Sequence, residues 1–301
     1  MPKRKIEQPE KKRKNSKKEE EEPKKSKRKV EENVPKKRKI IDTRLKKLVD
    51  PDVHRVAVTL ADNLLRVGTK QYIYKFDPMV LNTERDGKRI GVCGSSGSGK
   101  SRLIKEISRF HAKTIPAWMI VNPSEPGNHM YNANVVNESI IHDNDNPKEL
   151  VKDIYGFKKR QIKRCKDWSI PGTDPIQYTQ DPSGGLILDD LSEDPTIFND
   201  PIFGWLWCLS RNFKSWIAIL VQHWYLFPKK YRRQFSHVFI FSLSSVKDIK
   251  DSYLEVGGVF ENFNDYKRAF NLATQEKNGI KGTLVIDVMK SSSKVEDKIF
   301  W

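Results

Sequence analysis

The chain has 301 residues, 37% hydrophobic and 32% charged, with a formal net charge of +17. That length fits one substantial core with appendages, and the charge is uneven, since residues 1–48 hold 21 Lys/Arg against 9 Asp/Glu. Cys93, Cys165 and Cys208 are widely spaced without a CxxC pair, which argues against a disulfide framework or a zinc site.

Residues 1–48 read as a disordered basic tail. From Met1 to Ile40 there is no aromatic residue, and too few aliphatic side chains to offset the entropy of ordering the chain. The tail carries KRK (3–5), KKRK (11–14), KKSKRK (24–29) and PKKRKI (35–40), separated by acidic runs such as Glu19 to Glu22. These clusters resemble nuclear-import signals, which implies an import receptor as partner and the nucleus of a eukaryotic host as location. The same charges could hold DNA phosphates non-specifically, or could simply be solvated.

Residues 49–88 read as a short β lead-in, with extended pieces VHRVAVTL (53–60), LLRVGT (64–69) and KQYIYKF (70–76). After the turn-like RDG at 85–87, apolar runs alternate with longer polar or amphipathic stretches over 89–301. This is the pattern of a mainly parallel sheet flanked by helices. The strand candidates are RIGVCG (89–94), AWMIVNP (117–123), GLILDD (185–190), SWIAILVQ (215–222) and HVFIFSL (237–243), with GTLVIDV (282–288) expected to close an edge.

The chemistry begins directly after the first of these strands. Gly94, Ser95, Ser96, Gly97, Ser98, Gly99, Lys100 and Ser101 fit GxxxxGK[ST], followed by the amphipathic RLIKEISRF. In that context the glycines let backbone N–H groups wrap phosphates and the helix N-terminus adds its dipole. Lys100 would reach the β- and γ-phosphates of ATP, and the Ser101 hydroxyl would hold Mg²⁺. The run LILDD supplies Asp189 as the magnesium partner and Asp190 as the acid that polarises the attacking water. An apolar run lying between the glycine-rich loop and LILDD points to the additional-strand, catalytic-acid class of P-loop NTPase, an α/β fold. Gln222, ending the next strand, is placed to sense the γ-phosphate.

At this point GSSGSGKS, WMIVNPSE, LILDDLSED and LSRNFKSWIAILVQHWYLFPKKYRRQFSHVFIF together resemble the FtsK/HerA superfamily. The resemblance is closest to its poxvirus-type viral genome-packaging ATPases, with relatives in large DNA viruses, virophages and Maverick-type transposons, and spans roughly residues 85–245. It implies ATP and Mg²⁺ as cofactors, Asp189 as metal acid, Asp190 as catalytic acid, Gln222 as sensor, and Arg211 as an arginine finger for a neighbouring subunit. Arg232 and Arg233, in the same block, are alternative fingers. Asp190 stands where superfamily members often carry Glu, and the lead-in is shorter than the β domain of HerA-like proteins.

The implied function is an ATP-driven double-stranded DNA translocase that packages a viral or virus-like genome. It would act as a homo-oligomeric ring docked on a capsid vertex or portal, in the host nucleus or the virion. A helicase of the same fold and a non-hydrolysing, ATP-gated DNA-binding protein are the alternatives. The stretch GFKKRQIKRCKDW (156–168) puts Lys159, Lys163 and Lys166 at helical spacing beside Arg160 and Arg164, suited either to gripping DNA phosphates or to a solvated basic face. Trp205, Trp207 and Trp216 are expected in the core or at a subunit contact. No membrane partner is expected, because the most apolar segment, FGWLWCLSRNFKSWIAILVQHWYLF, is interrupted by Arg211 and Lys214.

Overall fold

Six parallel strands, each nearly uninterrupted in its apolar character, run from the middle of a ten-stranded sheet to one of its edges. The computed structural model describes residues 64–67, 71–83, 86–124, 130–131, 139–142, 146–168, 182–191, 195–277 and 279–301. The basic tail, the VHRVAVTL run and Arg85 of the RDG turn lie outside the described residues. In chain order the strands are β1 (Leu64–Arg66), β2 (Tyr72–Tyr74), β3 (Arg89–Cys93), β4 (Ala117–Val121) and β5 (Ser139–His142). They continue with β6 (Gly184–Leu188), β7 (Ser215–Val221), β8 (His237–Ile240), β9 (Leu284–Asp287) and β10 (Ile299–Phe300). The helices are α1 (Lys100–Phe110), α2 (Pro147–Trp168), α3 (Pro201–Leu209), α4 (Lys229–Arg232), α5 (Val246–Val256), α6 (Phe263–Ala273) and α7 (Val295–Lys298).

The spatial order is β1-β2-β10-β9-β8-β3-β7-β6-β4-β5. From β8 to β5 all pairings are parallel, while β9 runs antiparallel to β8 and β10 antiparallel to β9. Every residue of β3, β6, β7 and β8 is buried, as befits strands covered on both faces. Side chains alternate between two cores. Along β7, Ile217, Ile219 and Val221 join one cluster with α2, α3, α5 and α6, whereas Trp216, Ala218 and Leu220 join the other with Ile104 and Ile107 of α1. Trp207 and Trp216 are fully buried, and Trp205 packs against the first core.

Two sequence expectations change. GTLVIDV does not close an edge: β10 pairs with β9 and in turn with β2, so β1 and β2 extend the same sheet. A two-residue strand carries too little pattern to be read from sequence. The additional strand is present, but it is β7, which sits between β3 and β6; β4, the run that intervenes in the chain, lies on the far side of β6. Chain order and sheet order differ because each parallel crossover can place the next strand on either side.

The basic stretch is the second half of α2. Leu150, Ile154, Phe157 and Gln161 face inward, and the Gln161 amide donates to the Pro182 and Phe213 carbonyls at 2.7 Å each. Lys159, Arg160, Lys163 and Lys166 are exposed on the other side, and Lys158 caps the Trp205 ring at 3.8 Å. No helix among the described residues is long and apolar enough to cross a membrane.

Candidate nucleotide site

In a parallel sheet, groups from separate strands converge at the carboxyl ends. Here β3, β6 and β7 deliver the loop at 94–99, the pair Asp189–Asp190 and Gln222 to one place. The loop turns on Gly97 and Gly99, with φ of 67° and 106°, backbone that a side chain rarely adopts. Gly94 is required for a different reason: a Cβ there would stand 2.6 Å from Phe241 Cβ and 2.7 Å from Ser98 Oγ. α1 starts at Lys100, so its free N–H groups and dipole point into the loop. The Lys100 ammonium folds back onto the loop, donating to the Gly94 and Ser95 carbonyls at 2.9 and 3.1 Å. Burial lowers its pKa, while Asp189, Cys93 and Asp190 pull it upward.

A cavity of about 190 Å³ is lined by Ser96, Lys100, Ser101, Asp189, Asp190 and Gln222, among others. Asp189 is 4% exposed and accepts a hydrogen bond from Tyr131 Oη at 2.9 Å. Burial raises its pKa, against the hydrogen bonds from Ser101 and Tyr131. Asp190, by contrast, is exposed, and its carboxylate accepts from Ser124 Oγ at 2.8 Å; Ser124 also hydrogen-bonds Asn122 Oδ1 at 2.9 Å. Asp190 has φ of 57°, in the left-handed region that Asp and Asn enter more readily than other non-glycine residues.

A Mg²⁺ ion fits the donor set, because the Ser101 hydroxyl and the Asp189 carboxylate are hard oxygen ligands side by side. The buried Asp189 charge is also one that a cation would favour.

This gives a pH-dependent expectation. The folded state holds Asp189 with a raised pKa, so its ionised form costs stability above that pKa, and the cost disappears as pH falls toward the unfolded value. Asp189→Asn should therefore raise the unfolding temperature of the nucleotide-free protein at neutral pH, with the gain shrinking on acidification. Thermal unfolding scans from pH 4 to 8 check this, and an equal or lower unfolding temperature at neutral pH contradicts it.

Arg211 is not part of this cavity. It precedes β7, at the opposite ends of the strands, lining a separate cavity of about 300 Å³ with Asp86, Lys88, Arg89 and His237. Its guanidinium pairs with Asp86 at 3.0 Å, and both side chains are nearly half exposed. Of the alternatives, Arg232 is committed internally to Glu255 at 2.7 Å and the Phe227 carbonyl at 2.6 Å, whereas Arg233 is exposed.

Sequence reasoning assigned no role to Tyr131, Ser124 or Lys281, whose ammonium reaches the Gly97 carbonyl. Ser124 was traceable, since it follows β4 within the WMIVNPSE motif; the structure pairs that strand with β6. Tyr131 and Lys281 sit in segments without a motif.

The order β8-β3-β7-β6-β4, with the glycine-rich loop after β3 and the acids after β6, defines a P-loop NTPase fold of the additional-strand class. No family model matches the chain. The chain belongs to the same family as uncharacterized protein 075L of Invertebrate iridescent virus 6, to which it is 30% identical over 209 residues, 66% of this chain and 74% of that protein. Among solved structures, the genome packaging NTPase B204 of Sulfolobus turreted icosahedral virus 2, in complex with AMPPCP, is similar at 14% identity and a TM-score of 0.41. That match covers 71% of this chain and 94% of B204. The cytoplasmic domain of the type VII secretion ATPase EccC of Thermomonospora curvata is similar at 14% identity and a TM-score of 0.46, covering 68% and 24% of the two chains.

Proposed function

We propose that this chain is an ATP-driven double-stranded DNA translocase that packages a viral genome as a homo-oligomeric ring. The carrying observation is the convergence of Lys100, Ser101, Asp189, Asp190 and Gln222 on one cavity at the mouth of a glycine-rich loop. That set is what phosphoryl transfer to water needs: charge stabilisation at the phosphates, a carboxylate for the water, and a polar group beside the terminal phosphate. Membership in a family with an iridescent-virus protein, and the resemblance of residues 85–245 to packaging ATPases, support the viral cargo.

In this reading the loop amides and Lys100 bind the β- and γ-phosphates, Lys100 exchanging its carbonyl contacts for phosphate oxygens. Ser101 and Asp189 would hold Mg²⁺, which supplies charge neutralisation at the phosphates. Asp190, steered by Ser124, orients the attacking water and accepts its proton; Gln222 registers the terminal phosphate. Arg211 is separated from its own site by the length of β7, so its service is to a neighbour's nucleotide, and hydrolysis depends on ring formation. The exposed basic face of α2 grips DNA phosphates without reading bases. The basic tail engages an import receptor in a host nucleus, and the assembled ring docks on a capsid vertex or portal.

Hydrolysis by the full-length protein should rise several-fold with double-stranded DNA, and the stimulation should fade with salt. Steady-state ATP turnover and native mass spectrometry test this. DNA-indifferent turnover from a protein that stays monomeric with nucleotide and DNA would sink the translocase reading.

A further inference from the structure

The cavity of about 300 Å³ at the amino-terminal ends of β3 and β8 lies at the opposite ends of the strands from the glycine-rich loop. Its lining sets the cations Lys88, Arg89, Arg211 and Lys290 against the carboxylates of Asp86 and Asp287, four charges to two. Both carboxylates are already engaged. Asp86 pairs with Arg211 at 3.0 Å, and Asp287 accepts the backbone N–H groups of Met289 and Lys290 at 3.0 Å each. Lys88 and Lys290, by contrast, have no ion pair among the described residues. Arg89 is 7% exposed, and one end of its guanidinium donates to the Trp207 carbonyl at 3.4 Å and to Gln234 Oε1 at 2.9 Å, while its buried Nε has no hydrogen-bond partner. His237, 6% exposed, has no partner at Nδ1, and its Nε2 stands 3.8 Å from the Asp287 carboxylate, too far for a hydrogen bond. Native interiors rarely leave buried polar groups unsatisfied, so two on one lining point to an occupant. Burial lowers the pKa of Lys88 and of Arg89, and the nearby Arg211 charge adds to the lowering of both. An anion among the three removes that repulsion. The rim is apolar, since Val80 and Met289 line the same cavity and are each 47% exposed.

We propose that this cavity binds a phosphate monoester, its phosphate seated among Lys88, Arg89 and Arg211 and its organic part lying on Val80 and Met289. A volume at the lower end of the range for ligand pockets, about 300–1,000 Å³, suits a small ligand. The phosphate oxygens can accept from a guanidinium fork and an ammonium at once. Every group named lies in one chain and away from the loop, so the inference stands independently of the translocase reading.

Phenyl phosphate is the probe, with inorganic phosphate for comparison, and both are titrated by calorimetry into the full-length protein. A Lys100→Ala background removes the ammonium of the glycine-rich loop, and there phenyl phosphate should still bind, one per chain. Adding Lys88→Gln should weaken it about ten- to a hundredfold. Inorganic phosphate should bind several-fold more weakly than phenyl phosphate, because it leaves Val80 and Met289 uncovered, and Met289→Ser should narrow that preference. Lys88 has no ion pair to lose and Met289 is half exposed, so neither substitution threatens the fold. The proposal is overturned by an absence of binding to the Lys100→Ala protein, or by affinity unchanged on adding Lys88→Gln. Phenyl phosphate binding no tighter than inorganic phosphate, or a preference that Met289→Ser leaves intact, overturns it equally.

Discussion

Asp190→Asn should cut the ATP turnover number by about 10²–10⁴-fold, the range for losing a positioned general base, while nucleotide affinity stays within a few-fold. The substitution is nearly isosteric, and Asn accepts left-handed backbone as readily as Asp, so the φ of 57° is no obstacle. The side-chain oxygen still accepts from Ser124, which preserves the local hydrogen bonding. What disappears is the charge facing the cavity and the capacity to take a proton from water. Steady-state turnover, equilibrium ATP binding and thermal unfolding on the same preparation separate chemistry from binding and folding. Turnover within fivefold of wild type would remove Asp190 from the reaction and shift the search to Gln222.

Lys100→Ala should have the second large effect, and on a different step. The Lys100 ammonium is the only side-chain amine lining the acid cavity among the described residues, and it already sits among loop carbonyls that flank the phosphate path. Its loss should reduce turnover by at least about 10²–10³-fold, as for other removed transition-state donors, and weaken ATP binding as well. In an infected or transfected cell the expected readout is particles that assemble without a genome, separable from full particles on a density gradient. Genome-filled particles at normal yield would mean that this chain does not power packaging.

The site was legible in sequence where chemistry follows local rules. Gly94 to Ser101, Asp189, Asp190 and Gln222 are each fixed by a strand end, and strand ends show as the point where an apolar run stops. Long-range placement left no such mark. β7 could be recognised as a strand but not as the one inserted between β3 and β6, because sheet order is decided by crossovers rather than by runs. β5, apolar at only its two central positions, and β10, with two residues, offer too little pattern to read. Tyr131 reaches Asp189 across 58 positions and Lys281 reaches Gly97 across 184; no local pattern announces either.

β7 has a mechanical consequence. It is seven residues long, roughly 23 Å at the usual rise per residue, fully buried, and laddered to β3 on one side and β6 on the other. At one end it carries Gln222; at the other, Ser215 is tied back to Ser210 at 2.9 Å across the turn that holds Arg211, with Lys214 at a φ of 45°. Packed interiors compress little, so β7 is a stiff member that fixes the spacing between Gln222 and the Arg211 turn, whose exposed pair with Asp86 is weak. Under the proposed roles of sensor and finger, the two groups would serve different nucleotides at a separation this strand holds constant.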